Sequence, residues 1–121
     1  MSENKATVRR YIDGFNKNDH TQILDCLTDD IVWTVYGHFR ISGKPAYDAA
    51  IENEDFSGYP ELHIVRMVEE DDTIMAEIHG RTHRANGEEV RMAMAEVFVM
   101  RGSLICERRV FVINLEENDY K

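Results

Sequence analysis

The chain has 121 residues, 43% of them hydrophobic and 31% charged, with a formal net charge of -9 and a pI near 4.9. That is enough for one domain with its own core and too little for two of ordinary size. The acidic balance excludes a phosphate-backbone binder, which needs a basic footprint, and no apolar run is long enough to span a membrane.

In chain order, MSENKATVRR lacks the apolar centre of a secretory signal. Val8, Tyr11, Ile12 and Phe15 fall at i, i+3, i+4, i+7 and predict one apolar helical face; Gly14 costs that helix some stability. Asn18 and Asp19 supply a stop and a new N-cap, with Gln22 completing a capping box. Ile23, Cys26 and Leu27 make the apolar stripe of a short second helix. Ile31 to Tyr36, with Trp33 in the middle, is β-branched and aromatic and predicts a strand that turns at Gly37. Ser42 reads as the N-cap of a third helix, with Pro45 in its first turn and Ala46, Ala49 and Ala50 as a small-residue packing face. Phe56 to Pro60 reads as loop. Strand patterns then cover about Glu61 to Glu70, Thr73 to Arg84, Glu88 to Met100 and Ser103 to Ile113. The turns between them are Asp71-Asp72, Asn86-Gly87 (a two-residue type I′ signal) and Arg101-Gly102. Helices first and antiparallel strands after predict an α+β fold with helices on one face of the sheet. We expect a single domain over 1–115 and an acidic tail over 116–121. Cys26 and Cys106, far apart in apolar settings, read as free thiols in a reducing cytoplasm rather than as a disulfide or metal site.

Two-residue turns fix who faces whom. They pair His79 with Met94 and Glu77 with Glu96 across Asn86-Gly87. They pair Met94 with Arg109 and Glu96 with Glu107 across Arg101-Gly102, and Arg66 with Glu77 and Ile64 with His79 across Asp71-Asp72. One face then gathers Arg66, Glu77, Glu96, Glu107, Ile64, His79, Met94 and Arg109, with Met92, Phe98 and Phe111. The other gathers Val65, Met67, Ile74, Ala76, Ile78, Ala93, Ala95, Val97, Val99, Leu104, Cys106, Val110 and Val112. One face packs on the helices; the other is an apolar surface that a second copy of the chain would cover. Adjacent carboxylates repel, so either Arg66 and Arg109 neutralise them or one carboxyl stays neutral beside Met94 and Phe98. A solvated cross-strand ion network is the structural alternative. A bulge in any strand moves the register by one, which would make Glu107 and Arg108 surface charges.

The segments RYIDGFNKNDHTQILDCLTDDIVW, ISGKPAYDAAI and AEVFVMRGSLICERRVF resemble the nuclear-transport-factor-2-like superfamily. This is the cone fold of ketosteroid isomerase, limonene epoxide hydrolase and the SnoaL-like polyketide cyclases. The resemblance spans nearly the whole chain. It implies three N-terminal helices packed on a curved, mostly antiparallel sheet, a cystatin-like cone or α+β barrel with a deep pocket and a dimer on the outer sheet face. It matches Tyr11 to the isomerase's oxyanion-hole tyrosine and Glu96 to its protonated acid, and so turns the polar face inward and leaves Ala93, Ala95, Val97 and Val99 for a homodimer. The isomerase's base falls at about Val35, which cannot take a proton. Glu77, His79 and Arg109 replace the epoxide hydrolase's acidic and basic residues with others, so neither reaction carries over.

The expected catalytic residues are His79, Glu96, Tyr11 and Glu77. His79 would move a proton, with Glu77 or Glu96 orienting it, and Tyr11 with Glu96 would polarise a substrate oxygen. The expected ligand-binding residues are Trp33, Val35, Met92, Met94, Phe98, Arg109 and His38, the last at the pocket mouth. Each has a structural reading beside it: Tyr11 and Trp33 as core anchors, His79 as a satisfied strand histidine, Arg109 as the partner of Glu96. His79 with His83 lacks the ligand set of a metal site, and no cofactor is expected. Three functions stay open: a cofactor-free isomerase, cyclase or hydrolase on a small apolar carbonyl compound; a non-catalytic binder of a small apolar or aromatic ligand; and a dimeric interaction module. No nucleic-acid or membrane partner is expected.

Overall fold

A computed structural model describes residues 2–51 and 56–115, with the side chains of all of these but 56–59. The acidic tail expected over 116–121 lies outside the described residues.

Helix α1, Glu3–Lys17, forms where the i, i+3, i+4, i+7 pattern places it, and Val8, Tyr11, Ile12 and Phe15 are all buried. Ser2 caps its start by accepting from the Lys5 N–H. Its end is closed by Asn18 in the left-handed region (φ 53°), after which the Asp19 N–H donates to the Gly14 carbonyl. Asp19 then caps α2, His20–Leu24, by accepting from the Gln22 N–H. This helix is a single turn, so Cys26 and Leu27 are buried beyond it, and Leu27 already opens β1, Leu27–Val35. Gly14 is the contact point of the two helices: a Cβ there would stand 2.9 Å from Ile23 Cγ1.

β1 turns at Gly37 (φ 81°) into β2, Phe39–Ser42, a strand that the sequence reading did not anticipate. The third helix, α3, spans Lys44–Ile51. Gly43 (φ 88°), not Ser42, precedes it, and the Gly43 carbonyl accepts from the Tyr47 N–H. Tyr47, rather than the alanines, is the buried residue of this helix; Ala46 and Ala49 are exposed. Only α1 and α2 precede the strands, since α3 follows β2.

Four long strands follow: β3, Phe56–Glu70; β4, Thr73–Arg84; β5, Glu89–Arg101; and β6, Leu104–Leu115. Phe56 to Pro60, expected as loop, extend β3. The curved sheet has the order β2-β1-β6-β5-β4-β3 and is antiparallel except where β1 runs parallel to β6. Asn16 of α1 ties the helix to β3 from both sides, its Nδ2 donating to the Leu62 carbonyl (2.9 Å) and its Oδ1 accepting from the Leu62 N–H (2.6 Å). Thr7 Oγ1 donates to the Ser103 carbonyl at the β5–β6 turn.

The register departs from expectation at three points. The loop after β4 is three residues long, because Arg84 and Glu88 close it: the Gly87 N–H donates to Arg84 O and the Arg84 N–H to Glu88 O, with Gly87 at φ 88°. This is a type I turn with a following left-handed glycine rather than a two-residue type I′ turn. It moves the pairing by one, so Glu77 faces Ala95, His79 faces Ala93 and Ile78 faces Met94. The β5–β6 turn centres on Gly102 and Ser103, both at positive φ, and pairs Arg101 with Leu104. A bulge then passes Cys106, between the pairs Met100–Ile105 and Val99–Glu107, so Glu96 faces Val110 and Arg108 faces Phe98. The Asp71-Asp72 turn holds as expected as far as Arg66 opposite Glu77; a shift beyond it leaves Ile64 opposite Ile78.

The consequence is a face swap. Under the helices, the concave face carries Ile74, Ala76, Ile78 and Gly80 of β4, Met94, Glu96 and Phe98 of β5, and Arg108 and Val110 of β6, all buried. The outer face carries Met75, Glu77 and His79, exposed, with Ala93, Ala95, Val97, Arg109, Phe111 and Ile113.

Candidate functional site

A cavity of about 230 Å³ opens between α1, α3 and the concave sheet face. Phe15, Trp33, Val35, Phe39, Leu62, Met92 and Met94 give it apolar walls; Thr82 and Arg108 are its polar lining side chains among the described residues. Parallel pairing sets Trp33 of β1 beside Arg108 of β6, and the guanidinium lies 4.7 Å from the indole ring centre. It also lies 5.3 Å from the Tyr11 ring and 5.5 Å from the Phe15 ring. Three aromatic faces around one cation form a desolvated cage.

Behind the cavity wall the same arginine is held by polar groups. Arg108 Nε donates to Glu96 Oε1 at 2.6 Å, and Arg108 Nη1 donates to Tyr47 Oη at 3.2 Å. Tyr47 and Tyr11 share a hydrogen bond between their hydroxyls, and Tyr47 stacks on Trp33 at 4.7 Å. Burial works against the Arg108 charge, but the Glu96 charge, then the Tyr11 and Tyr47 oxygens, outweigh it and hold the guanidinium well above the ordinary arginine value. Burial pushes the Tyr11 phenol well above the ordinary tyrosine value, with Arg108 pulling the other way, and raises Tyr47 for the same leading reason. Both phenols are therefore neutral hydrogen-bonding groups at physiological pH. Two buried atoms of this cluster, Trp33 Nε1 and Glu96 Oε2, have no hydrogen-bond partner among the described residues.

Of the expected site residues, Trp33, Val35, Met92 and Met94 line the cavity. Tyr11 and Glu96 belong to the polar cluster behind it. Phe98 is fully buried against Tyr11 and is not among the cavity's lining residues. His38 sits exposed in the β1–β2 turn, next to the lining Phe39.

Glu77, His79 and Arg109 lie elsewhere. The three-residue loop turns Glu77 and His79 to the outer face, where they stand 3.7 Å apart and half exposed. The bulge at Cys106 turns Arg109 outward to pair with Glu107 at 2.6 Å. Arg108 and Tyr47 are the residues that sequence reasoning missed. The bulge hid Arg108, and the alanine pattern of α3 drew attention from Tyr47. Among the described residues no group of three or more metal-ligating side chains gathers.

Helices roofing the concave face of a curved sheet, with an apolar cavity between them and a polar cluster behind it, define an α+β cone fold. The chain belongs to the SnoaL-like domain family of the nuclear-transport-factor-2-like superfamily, with residues 8–108 matching the family. Its fold is similar to an LEH-like epoxide hydrolase of M. tuberculosis, with a TM-score of 0.82 and 18% identity over 92% of this chain and 83% of that one. It is similar to Bal32a from a soil-derived mobile gene cassette, with a TM-score of 0.83 and 18% identity over 91% and 88%. It is also similar to TerC, co-crystallised with polyporic acid, with a TM-score of 0.79 and 18% identity over 94% and 92%. At these identities the likeness is one of fold. No curated protein sequence matches significantly.

Proposed function

We propose that the chain is a small-molecule pocket protein of the SnoaL-like type. Its ligand is a small apolar or aromatic compound that presents an oxygen to Arg108. The observation that carries this reading is the cavity itself: apolar walls around one buried guanidinium, the arrangement in which a few placed polar groups orient an otherwise apolar ligand. Cofactor-free isomerisation, cyclisation or hydrolysis of a carbonyl compound fits such a site, because Arg108 would stabilise charge developing on the oxygen. A fixed cation aimed at the reacting oxygen is the part of such chemistry that these side chains supply.

Non-catalytic binding is the second reading. It is favoured by the absence of Asp, Glu or His among the described lining residues, with Val35 on the wall. A thermal-shift screen of aromatic and apolar carbonyl compounds, followed by mass spectrometry of the mixtures that stabilise the protein, separates the two. New product supports catalysis, stabilisation without product supports binding, and no stabilisation by any compound removes the pocket reading.

The protein also pairs, in this proposal, through its outer sheet face. Tyr36, Val65, Val68, Met75, Phe111 and Ile113 are large apolar side chains exposed there or at its edge, flanking Ala93, Ala95, Val97 and Val99. A twofold dimer would cover them with one self-complementary surface. The composition and the two free cysteines suit a reducing cytoplasm.

A further inference from the structure

Resting on the pocket reading above, we infer that the ligand is an apolar or aromatic carboxylate, bound through its anionic group to Arg108. The first ground is the way Glu96 holds the arginine. A guanidinium has five N–H donors in a planar fork and a carboxylate can take two of them side by side. Glu96 does not bind that way: Oε1 accepts from Nε, while Oε2 is buried with no partner among the described residues. Tyr47 takes one further hydrogen, from Nη1. The rest of the fork has no partner among the described residues, and Arg108 lines the cavity.

The second ground is where the charges stand. Glu96 belongs to the layer behind the cavity and is not among its lining residues, whereas Arg108 is. A group in the cavity therefore meets the cation first and the anion only beyond it. Between apolar walls that difference in distance is felt more strongly than in open water.

The third ground is rigidity. Trp33, Tyr11 and Phe15 rings enclose the guanidinium, so the donors are set before a ligand arrives and ordering them costs little. Trp33 sets its ring in the same wall, against the guanidinium. Thr82 contributes the wall's other polar side chain. A wall whose one charged group only donates matches a group that only accepts. A neutral amide brings N–H groups for which Thr82 Oγ1 is the one side-chain acceptor among the described lining residues, and neither an amide nor an ester has a charge to offer Arg108.

Titration calorimetry of the full chain with matched pairs tests this: benzoate with benzamide, phenylacetate with phenylacetamide, and cinnamate with cinnamamide. We expect the best carboxylate to bind about tenfold or more tighter than its amide, the scale of a charged hydrogen bond in a buried site. The double variant Glu96→Gln/Arg108→Gln, which removes both charges together, should lose that preference. Arg108→Lys, which keeps a positive charge and loses the planar fork, should keep a reduced preference for the carboxylate. Amides that bind as tightly as their carboxylates to the unaltered chain would overturn the inference and leave the pocket reading standing. Absence of binding by both members of every pair, and by the neutral carbonyl compounds of the wider screen, would remove the pocket reading itself. Should the double variant fail to fold, the comparison on the unaltered chain and on Arg108→Lys decides.

Discussion

Arg108 Nε and Glu96 Oε1 stand 2.6 Å apart, with side-chain exposures of 6% and 0%. A pair buried this deeply is strongly felt when it is broken and weakly felt when it is replaced whole. Removing one partner leaves an uncompensated charge beneath the helices. Glu96→Leu or Arg108→Met alone should cost about 3–5 kcal/mol, while the double substitution should be close to neutral. Urea unfolding of the three variants checks this through the coupling in the double-mutant cycle. Additive losses would mean that the two groups do not act as a pair.

The outer-face placement of Glu77 and His79 has the opposite signature. Both are a little over half exposed, and their separation of 3.7 Å is that of a loose surface pair. His79→Ala and Glu77→Ala should leave the unfolding free energy within about 0.5 kcal/mol and ligand affinity in the cavity unchanged. A loss of cavity binding in either variant would mean that the β4–β5 register differs from the one described.

These residues also mark where the sequence could be read and where it could not. The buried stripe of α1 was legible because four apolar residues at helical spacing leave little choice of face. The alternation of β5 put Met92, Met94, Glu96 and Phe98 on one face, and they stay together there because no irregularity falls among them. The relation between strands was not legible, because it depends on parity. One extra loop residue at Ala85 to Gly87 reversed β4, and the turn at Gly102 and Ser103 with one bulged residue at Cys106 reversed β6. Asn86-Gly87 serves either loop length, and the turn closed by Arg84 and Glu88 is chosen by the strands it joins. Arg109 was therefore expected to face the cavity, whereas its neighbour Arg108 lines it.

Gly14 illustrates a sign that packing decides. On an exposed helix, Gly→Ala gains about 1 kcal/mol. Here the added methyl would stand 2.9 Å from Ile23 Cγ1 and 3.2 Å from the Ile23 backbone nitrogen. The backbone contact cannot be relieved by a rotamer change, so Gly14→Ala should instead destabilise by about 1–3 kcal/mol. Thermal and urea unfolding report it, and a rise in stability would show that α1 and α2 can move apart freely.

The two buried phenols set an alkaline limit. Tyr11 and Tyr47 have pKa values raised above the ordinary 10.0, chiefly by burial. In the unfolded chain they ionise near that ordinary value, so above it the native state holds more protons than the unfolded state. Stability is therefore fully present below about pH 10 and declines as pH rises beyond it. Tyr11→Phe should flatten this decline by about one proton's worth of slope while costing some stability at neutral pH through the lost hydroxyl contact with Tyr47. Unfolding free energies between pH 8 and the alkaline limit, for both proteins, check it. An unchanged slope would show that Tyr11 ionises alike in both states.

The outer sheet face gives the last prediction. Tyr36 and Phe111 stack there at 4.8 Å between ring centres while remaining 45% and 49% exposed, and Ile113 beside them is 64% exposed. Aromatic pairs in water give up little of their hydrophobic stabilisation until something covers them. With Met75 and the small side chains of Ala93 and Ala95 they make an apolar surface that the charges of Glu77 and Arg109 interrupt. A twofold axis through it would place the apolar side chains of one copy on those of the other. Sedimentation velocity at micromolar concentration should give a dimer for the unaltered chain and a monomer for Phe111→Asp, which sets like charges against each other across the axis. Because the cavity lies on the opposite face, the monomeric variant should keep its ligand affinity. A monomer in both cases would leave this apolar surface to some other cover, and loss of ligand binding in the variant would show that pairing and cavity are linked through the sheet.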